Sequence, residues 1–527
     1  MSIITLEQLW LNFDRKAPSK PTIVKEQYSQ YIDKKIFFSG LKTDSGTTRI
    51  YARFLSYPSD FPLPVLIILA AHNQSIDDID AHKFLSLLDG YALLFIDYHG
   101  AMQNKILYTI YPKDINTYWQ QSPLSIFEHV PQDLKTSAHY YFTACTLFAI
   151  NYLEEFNQEL NIDINKIGIL GIGTGASIVY KASIDEAIKC GASFFCGDIF
   201  GSNPQYISYK AALDSRIYAA KSNIPVLINA ASNQQNEGFD YLNDLYLNAL
   251  NARISTHALS SNSVSIKQRD NLKKWFDTIL KNEYSIENLP KKPKISSSTS
   301  EDATYIELSG EFDSVQIYIS EDRSPEFRNW KKIKHTKISE TKYLIRIESN
   351  VIKYKLFASV MTKCGFSLSS EMISIKPIKQ EKEQNKKGRI LFKGGLSGSD
   401  WLIQAHDFFD DDNPFMTKGP FDLEGICGHE LITLSSGDIT NKGAPESLLQ
   451  IILHVPIQTE IEFILTELND NVQIFSHKKT ISDKNWAMIT LSPLDFKCTK
   501  GTPSFDKVVS IGLKADTKII ISSIIWV

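Results

Sequence analysis

The chain has 527 residues, 43% of them hydrophobic and 22% charged, with a net charge of −4. That length suggests roughly two to four domains of ordinary globular composition and excludes a disordered or collagen-like chain. The charge balance gives no footprint for nucleic acid, and the absence of an apolar run of about 18 residues argues against a membrane helix.

The elements are predicted in chain order as follows. A short helix over 6–13 opens the chain, and a polar connection leads to strands over 35–40 and 48–57, joined through the hairpin signal Asp44-Ser45-Gly46. Val65 to Ala71 is a continuous apolar run of the buried parallel-strand type and ends at His72. A helix over 79–88 and a second buried strand over 91–97 follow, ending in Asp97-Tyr98-His99-Gly100. A long loop over 101–131 carries Tyr108, Tyr111, Tyr118, Trp119 and Phe127, expected as core or lid packing rather than a sugar platform. A long amphipathic helix is predicted over 136–157.

Next comes the stretch with the clearest local signature. Ile167 to Leu170 reads as a buried strand that turns sharply into a helix near Thr174, through Gly171-Ile172-Gly173-Thr174-Gly175. Strand, turn and helix in that order are the setting of the nucleophile elbow G-x-S-x-G. Here the apex is Gly173, which has no atom that can attack a carbonyl. A dinucleotide-binding loop is the competing reading of a glycine-rich strand–helix turn, but no acidic residue follows at the expected distance. Strands over 190–196, 224–231 and 253–260 then alternate with helices over 209–220, 239–252 and 266–280. This alternation argues for a doubly wound, mostly parallel α/β sheet, with ligands outside the carboxyl ends of its strands.

Composition shifts after residue 285. A Pro/Lys/Ser-rich linker spans 286–302. Short alternating strands over 303–378 carry the signature of an immunoglobulin-like sandwich. A charged linker spans 379–387, and 388–527 is again all-β, with strands over 449–455, 460–465, 486–491, 508–513 and 519–526. Six cysteines (Cys145, Cys190, Cys196, Cys364, Cys427, Cys498) show no CxxC pair and read as free buried thiols. The first residues lack a basic segment followed by a long apolar run, so a cytoplasmic location is expected, with leaderless export left open.

On these marks, residues 35–280 resemble the acetyl xylan esterase branch of the α/β-hydrolases. The marks are the Gly40 to Tyr51 segment, His72, Gly90-Tyr91-Ala92 leading to Asp97-Tyr98-His99-Gly100, the elbow frame, and Trp275-Phe276. Residues 303–377 are similar to the Ig-like domain that follows some of these esterases, through Arg328-Asn329-Trp330 and Cys364 to Ser367. Residues 388–527 look like a jelly-roll carbohydrate-binding module, from Trp486 to Phe496 and the final strand.

The resemblance implies a serine at the elbow, an acid after the next-but-one strand and a histidine after the last strand. Gly173 replaces the serine. Gln234 stands where the acid belongs, with Glu237 nearby as an offset candidate. Residues 260–266 hold no histidine, and His257 lies earlier, inside the strand, where packing is the expected role. Losing the nucleophile removes the covalent path and leaves binding and oxyanion stabilisation. Thr174 follows the apex, its N–H being the usual oxyanion donor and its hydroxyl the expected helix cap. Ser177 points away from the crevice. His72, Asp97 and His99 end neighbouring strands and belong with Gly173, Thr174 and Gln234 to the binding crevice. With Asp77, Asp78, Asp80 and His82 they form a His/Asp group, but its spacing matches no metal motif, so neither metal nor cofactor is expected. In the last region Trp401, His406, Asp407 and the run Asp410-Asp411-Asp412 frame either a sugar or calcium site or a solvated acidic loop, the latter preferred. Trp486 and Trp526 are expected in the core.

The sequence thus favours a catalytically degenerate esterase relative that binds or scaffolds a glycan or glycoprotein, or a protein partner through its β-sandwiches. The alternatives are an active acetyl esterase or acyltransferase using displaced groups such as Thr174, His72 or Glu237, and a non-enzymatic subunit of a larger assembly.

Overall fold

A computed structural model describes residues 4–527, apart from 72–73, 103–104, 122–125, 127–128, 130, 199–205, 236–237, 282–288, 301–303, 348–352, 377–388, 395–400, 405–407, 411–412, 470, 483–484 and 498–500. The first region is built on strands β1 (Thr22–Tyr28), β2 (Ile32–Thr43), β3 (Gly46–Ser56), β4 (Leu63–Leu69), β5 (Ala92–Asp97), β6 (Ile162–Ile172), β7 (Ile188–Phe194), β8 (Val226–Ala231) and β9 (Ala252–His257). They lie in the order β1-β2-β3-β5-β4-β6-β7-β8-β9. β5, β4, β6, β7, β8 and β9 run parallel, while β1, β2 and β3 join them antiparallel. This is the sheet of an α/β-hydrolase fold. β4, β5 and β8 are buried at nearly every position, as strands covered on both faces must be.

Besides a single turn over Asn157–Leu160, the helices that matter here are α1 (Leu6–Leu9), α2 (Ala81–Leu87), α3 (Ala138–Glu155), α4 (Thr174–Ala182), α5 (Ile207–Leu213), α6 (Ser215–Lys221), α7 (Gly238–Asn248) and α8 (Ile266–Phe276). One face of the sheet packs on α3, α4, α6 and α7 through Phe142, Phe148, Ile178, Val179, Tyr218 and Leu242. The other packs on α2 and α8 through Phe84, Leu85, Leu272, Trp275 and Phe276.

Several local expectations need correction. The helix predicted as amphipathic over 136–157 is buried on all sides, from Ala138 to Leu153. The opening segment and the aromatic loop cover its outer face: Trp10 stacks on Tyr140 at 4.9 Å and Trp119 lies 5.8 Å from Tyr141. The opening helix ends at Leu9, and the polar connection contains β1, whose seven residues are all exposed and so carry no alternating pattern. The helix expected over 209–220 breaks at Asp214, whose side chain accepts from Arg216 N at 2.9 Å and starts α6.

Within the expected linker, β10 (Lys294–Thr299) pairs with β11 (Thr304–Ser309). β12 (Phe312–Glu321), β13 (Lys331–Ile333), β14 (Thr336–Lys337), β15 (Lys342–Ile345), β16 (Tyr354–Thr362), β17 (Ser367–Ser369) and β18 (Ile373–Ile375) follow. β10, β11, β15 and β14 form one sheet. β17, β16, β12 and β13 continue the first region's sheet, because Ser369 pairs with Ile254 of β9. The charged linker over 379–387 lies outside the described residues.

The last region contains β19 (Ile390–Lys393), β20 (Trp401–Leu402), β21 (Phe415–Lys418), β22 (Glu424–Thr433), β23 (Leu449–His454), β24 (Thr459–Leu468), β25 (Val472–Ile481), β26 (Trp486–Leu491) and β27 (Val508–Trp526). The two strands expected over 508–526 are one, which pairs with β19, β22, β23 and β24. This region encloses its own core, including Leu453, Phe463, Ile511 and Trp526. Among the described residues no helix is long and apolar enough to cross a membrane.

Candidate functional site: the crevice at the β6–α4 turn

The turn is held by glycines with different tasks. Gly173 has φ 57° and ψ −119°, a region that a side chain occupies at a cost of about 1–3 kcal/mol. Its N–H donates to Phe194 O at 2.8 Å. A Cβ built on Gly173 would meet only Ala71, at 3.6 Å, an ordinary contact. The flanks have no such room. A Cβ on Gly171 would lie 2.7 Å from Ala176 Cα, and one on Gly175 would lie 2.7 Å from Leu69 Cβ. The flanking glycines therefore allow α4 to approach β4 and β6, while the apex is free sterically and constrained only in backbone conformation.

Thr174 is the first residue of α4. The cap position is Gly173, and no side chain caps the helix, so the expected hydroxyl cap is absent. With φ positive at the cap residue, the usual extended geometry that aims a cap side chain at the first turn is not formed. Ser177 is buried, and its Oγ donates to Thr174 O at 3.0 Å.

Beneath α4 lies a polar nest that sequence reading missed. Lys181, with no exposed side-chain surface, donates to Asp198 Oδ2 at 2.8 Å and to Ser215 Oγ at 3.1 Å. His139 Nδ1 stands 4.0 Å from Asp198 Oδ1. Burial opposes the charge on Asp198, but Lys181 overrides it and holds the carboxyl at about 2. Burial, helped by the Lys181 charge, pushes His139 down to about 3. A lysine in the third turn of a helix gives no sign in sequence of this partner, which stands just beyond the end of β7.

The other candidates serve the fold in identifiable ways. Asp97 is 2% exposed, and it accepts from Lys105 Nζ at 2.6 Å and from Thr109 N at 2.7 Å. Burial raises its pKa against the pull of Lys105. His99 is equally buried, its ring 3.9 Å from that of Tyr98, and its carbonyl accepts from Trp119 Nε1 at 2.8 Å. Tyr118 and Trp119 are core residues, Tyr111 is partly buried and packs against that core, and Phe127 lies outside the described residues. Asp77 accepts from Tyr51 OH at 2.7 Å and pairs with Lys35 at 2.5 Å, Asp80 caps α2, and His82 is exposed. His72 and Glu237 lie outside the described residues.

The two loops beyond the elbow are tied to the appended regions. After β8, Gln234 Nε2 donates to Phe195 O at 3.0 Å and to Cys196 O at 3.3 Å. Its neighbour Asn233 donates through Nδ2 to Arg328 O at 2.7 Å and Glu326 O at 3.2 Å, and Trp330 Nε1 reaches Ser232 O at 3.3 Å. Arg328 closes this joint by gripping Asp240 of α7 at 2.5 and 2.9 Å. After β9, Ile403 N donates to Leu259 O at 2.7 Å and Ser261 N to Ile403 O at 3.1 Å. His257 Nδ1 lies 3.1 Å from Ser263 O, and burial lowers its pKa. The Asn233, Trp330 and Ile403 contacts were not legible in the sequence, since each joins segments some 90 residues or more apart and no pattern marks the partner.

In the last region Trp401 is 3% exposed and packs on Phe392, so its ring offers no platform for a sugar. His406, Asp407, Asp411 and Asp412 lie outside the described residues. Trp526 is core, whereas Trp486 is only partly buried and donates to Pro420 O at 2.8 Å. Cys145, Cys190 and Cys196 are buried free thiols, Cys427 is buried, Cys364 is exposed, and Cys498 lies outside the described residues.

No protein-family model and no curated protein matches this chain. Among solved structures, it is similar to an acetyl xylan esterase from Paenibacillus sp. R4, at 14% identity over 53% of this chain and 97% of that one, with a TM-score of 0.42. It is also similar to acetyl xylan esterase 1 from Thermoanaerobacterium sp. JW/SL YS485, at 12% identity over 48% and 86%, TM-score 0.36. A glucuronoyl esterase from Solibacter usitatus matches at 12% over 52% and 94%, TM-score 0.33.

Proposed function

We propose that this chain is a catalytically degenerate α/β-hydrolase-fold protein that binds rather than hydrolyses. On this reading the crevice is bounded by Gly173, Thr174 and Gln234, an Ig-like and a jelly-roll region are attached to it, and a glycan or glycoprotein is the expected ligand. One observation carries the reading. The apex has no nucleophile, and the two loops where an acid and a histidine would stand are bonded instead to residues 326–330 and 403. Acyl transfer needs a nucleophile and a base within hydrogen-bond reach. A loop whose polar groups already bond another part of the chain is ill placed to supply the base. The glycan follows from the sequence's resemblance to carbohydrate esterases.

The test is hydrolysis of p-nitrophenyl acetate and of an acetylated xylo-oligosaccharide by the purified full chain, with calorimetric titration of the same oligosaccharide. Binding without turnover is expected. Turnover abolished by Thr174→Val would overturn the reading.

A further inference from the structure

Two phenylalanines of the last region stand at the carboxyl ends of the first region's strands. Phe408 is 8% exposed, and its ring lies 5.0 Å from Phe194 and 5.5 Å from Phe84. Phe409 meets Phe84 edge-on at 4.9 Å, with Lys83 Nζ 5.7 Å above its ring. The pair is anchored from both directions. Arg269 of α8 donates to Phe408 O at 3.1 Å, and Ile403 is bonded to the loop after β9.

These rings sit close to the elbow. Phe194 is the last residue of β7, and its carbonyl receives the Gly173 N–H. Ile172, Ala70 and Phe194 share one apolar cluster with Phe408, and Ala71 packs against that cluster. Ala71 is also the residue that a Cβ at position 173 would touch. Phe408 thus packs, on the α2 side, against the residue whose carbonyl receives the apex amide. Phe84 of α2 and Phe194 at the end of β7 are large apolar groups that the rings of Phe408 and Phe409 help to cover. Covering them removes apolar surface from water, and the edge-to-face aromatic pairs add to that packing.

We propose that Phe408 and Phe409 form the size-selecting wall of the crevice, which makes the site a composite of the first and last regions and limits it to small ligands such as a short acyl group or a single sugar ring. This rests on the crevice being a binding site, and its test reads access rather than affinity. Gly173→Cys places a thiol at the apex, in a background with Cys364→Ser and Cys498→Ser. The rate of alkylation by iodoacetamide is compared with that by fluorescein maleimide in the full chain. The same comparison is made after Phe408→Ala and Phe409→Ala together. The ratio of bulky to small reagent is expected to rise at least tenfold when the rings are removed. An unchanged ratio overturns the proposal, whatever the glycan titration shows. If Cys145 or Cys190 also becomes labelled, the double variant has lost its fold and a second pair decides. That pair is Phe408→Leu with Phe409→Leu, which keeps the apolar packing and should raise the ratio by a smaller factor, and no change overturns the proposal.

Discussion

At the β6–α4 turn, Gly171 and Gly175 are fixed by contact with backbone and side chains, while the apex between them has room for a Cβ and carries none. After β8 and β9 the opposite holds. Those loops are full: amides and carbonyls of Ser232, Asn233, Gln234, Leu259 and Ser261 are bonded to strand ends or to the appended regions. The turn thus has room at its apex for a side chain, whereas the polar groups of the two loops are already engaged. A serine at the apex needs one substitution, but freeing the loops needs more, because each broken bond would leave a buried polar group unpaired.

The largest expected effect bears on the elbow's support. Lys181→Met leaves Asp198 charged and buried, and should cost about 3–5 kcal/mol in urea denaturation. A loss below about 1 kcal/mol would mean that the nest does not hold α4. Gln234→Glu bears on the loops. It places a carboxylate against the carbonyls of Phe195 and Cys196, where no donor remains, and should cost about 2–3 kcal/mol at pH 7. Burial and two facing acceptors raise the new group's folded pKa above its unfolded value, so the lost stability should return as pH falls. A destabilisation relative to the parent chain that is the same at pH 5 and pH 7 would contradict the packing of this loop.

The pH dependence of the parent chain separates the two regions further. His139 is neutral in the fold, with its pKa lowered to about 3, and it faces Asp198, Lys181, Phe142 and Tyr209. The unfolded chain takes up this proton near pH 6.5, so stability falls with pH below that point and continues to fall toward pH 3. His139→Gln should flatten the loss by about 1–2 kcal/mol between pH 6.5 and pH 5, measured by chemical denaturation. The smallest effect is expected at the apex. Gly173→Ser should cost about 1 kcal/mol, the low end of the about 1–3 kcal/mol for such a backbone region because its Cβ meets only an ordinary contact, and should produce no hydrolysis of p-nitrophenyl acetate. Hydrolysis gained by this single change would show that a base survives and that the loops are less altered than their bonds suggest.

The alternation of buried strands and helices was readable because each parallel strand is a run of apolar residues bounded by turn signals, as Val65 to Ala71 and Ala92 to Asp97 show. The elbow frame was readable because its glycines answer to local sterics. What escaped was long-range. Asp198 and Lys181 look like surface charges until α4 and the β7 end are brought together, and Phe408 lies more than 200 residues from Phe194 in sequence. β1 was missed because neither of its faces is covered, which leaves no alternation to detect. α3 reads as amphipathic in sequence because the aromatic loop that buries its outer face is itself irregular and leaves no pattern.

β27 has a consequence for how the molecule forms. It is the latest of its region's strands in the chain, and β19, β22, β23 and β24 all pair with it. Until residues 508–526 leave the ribosome, those partners present open edges and an apolar face with nothing to close them. At about 5–20 residues per second, the stretch from β19 to β27 leaves the region incomplete for several seconds. During that time the first region, whose strands are all made by residue 257, can already be folded and offer Phe84 and Phe194 as an uncovered landing place for Phe408. The order of synthesis thus assigns the α/β region the part of template and the last region that of late arrival.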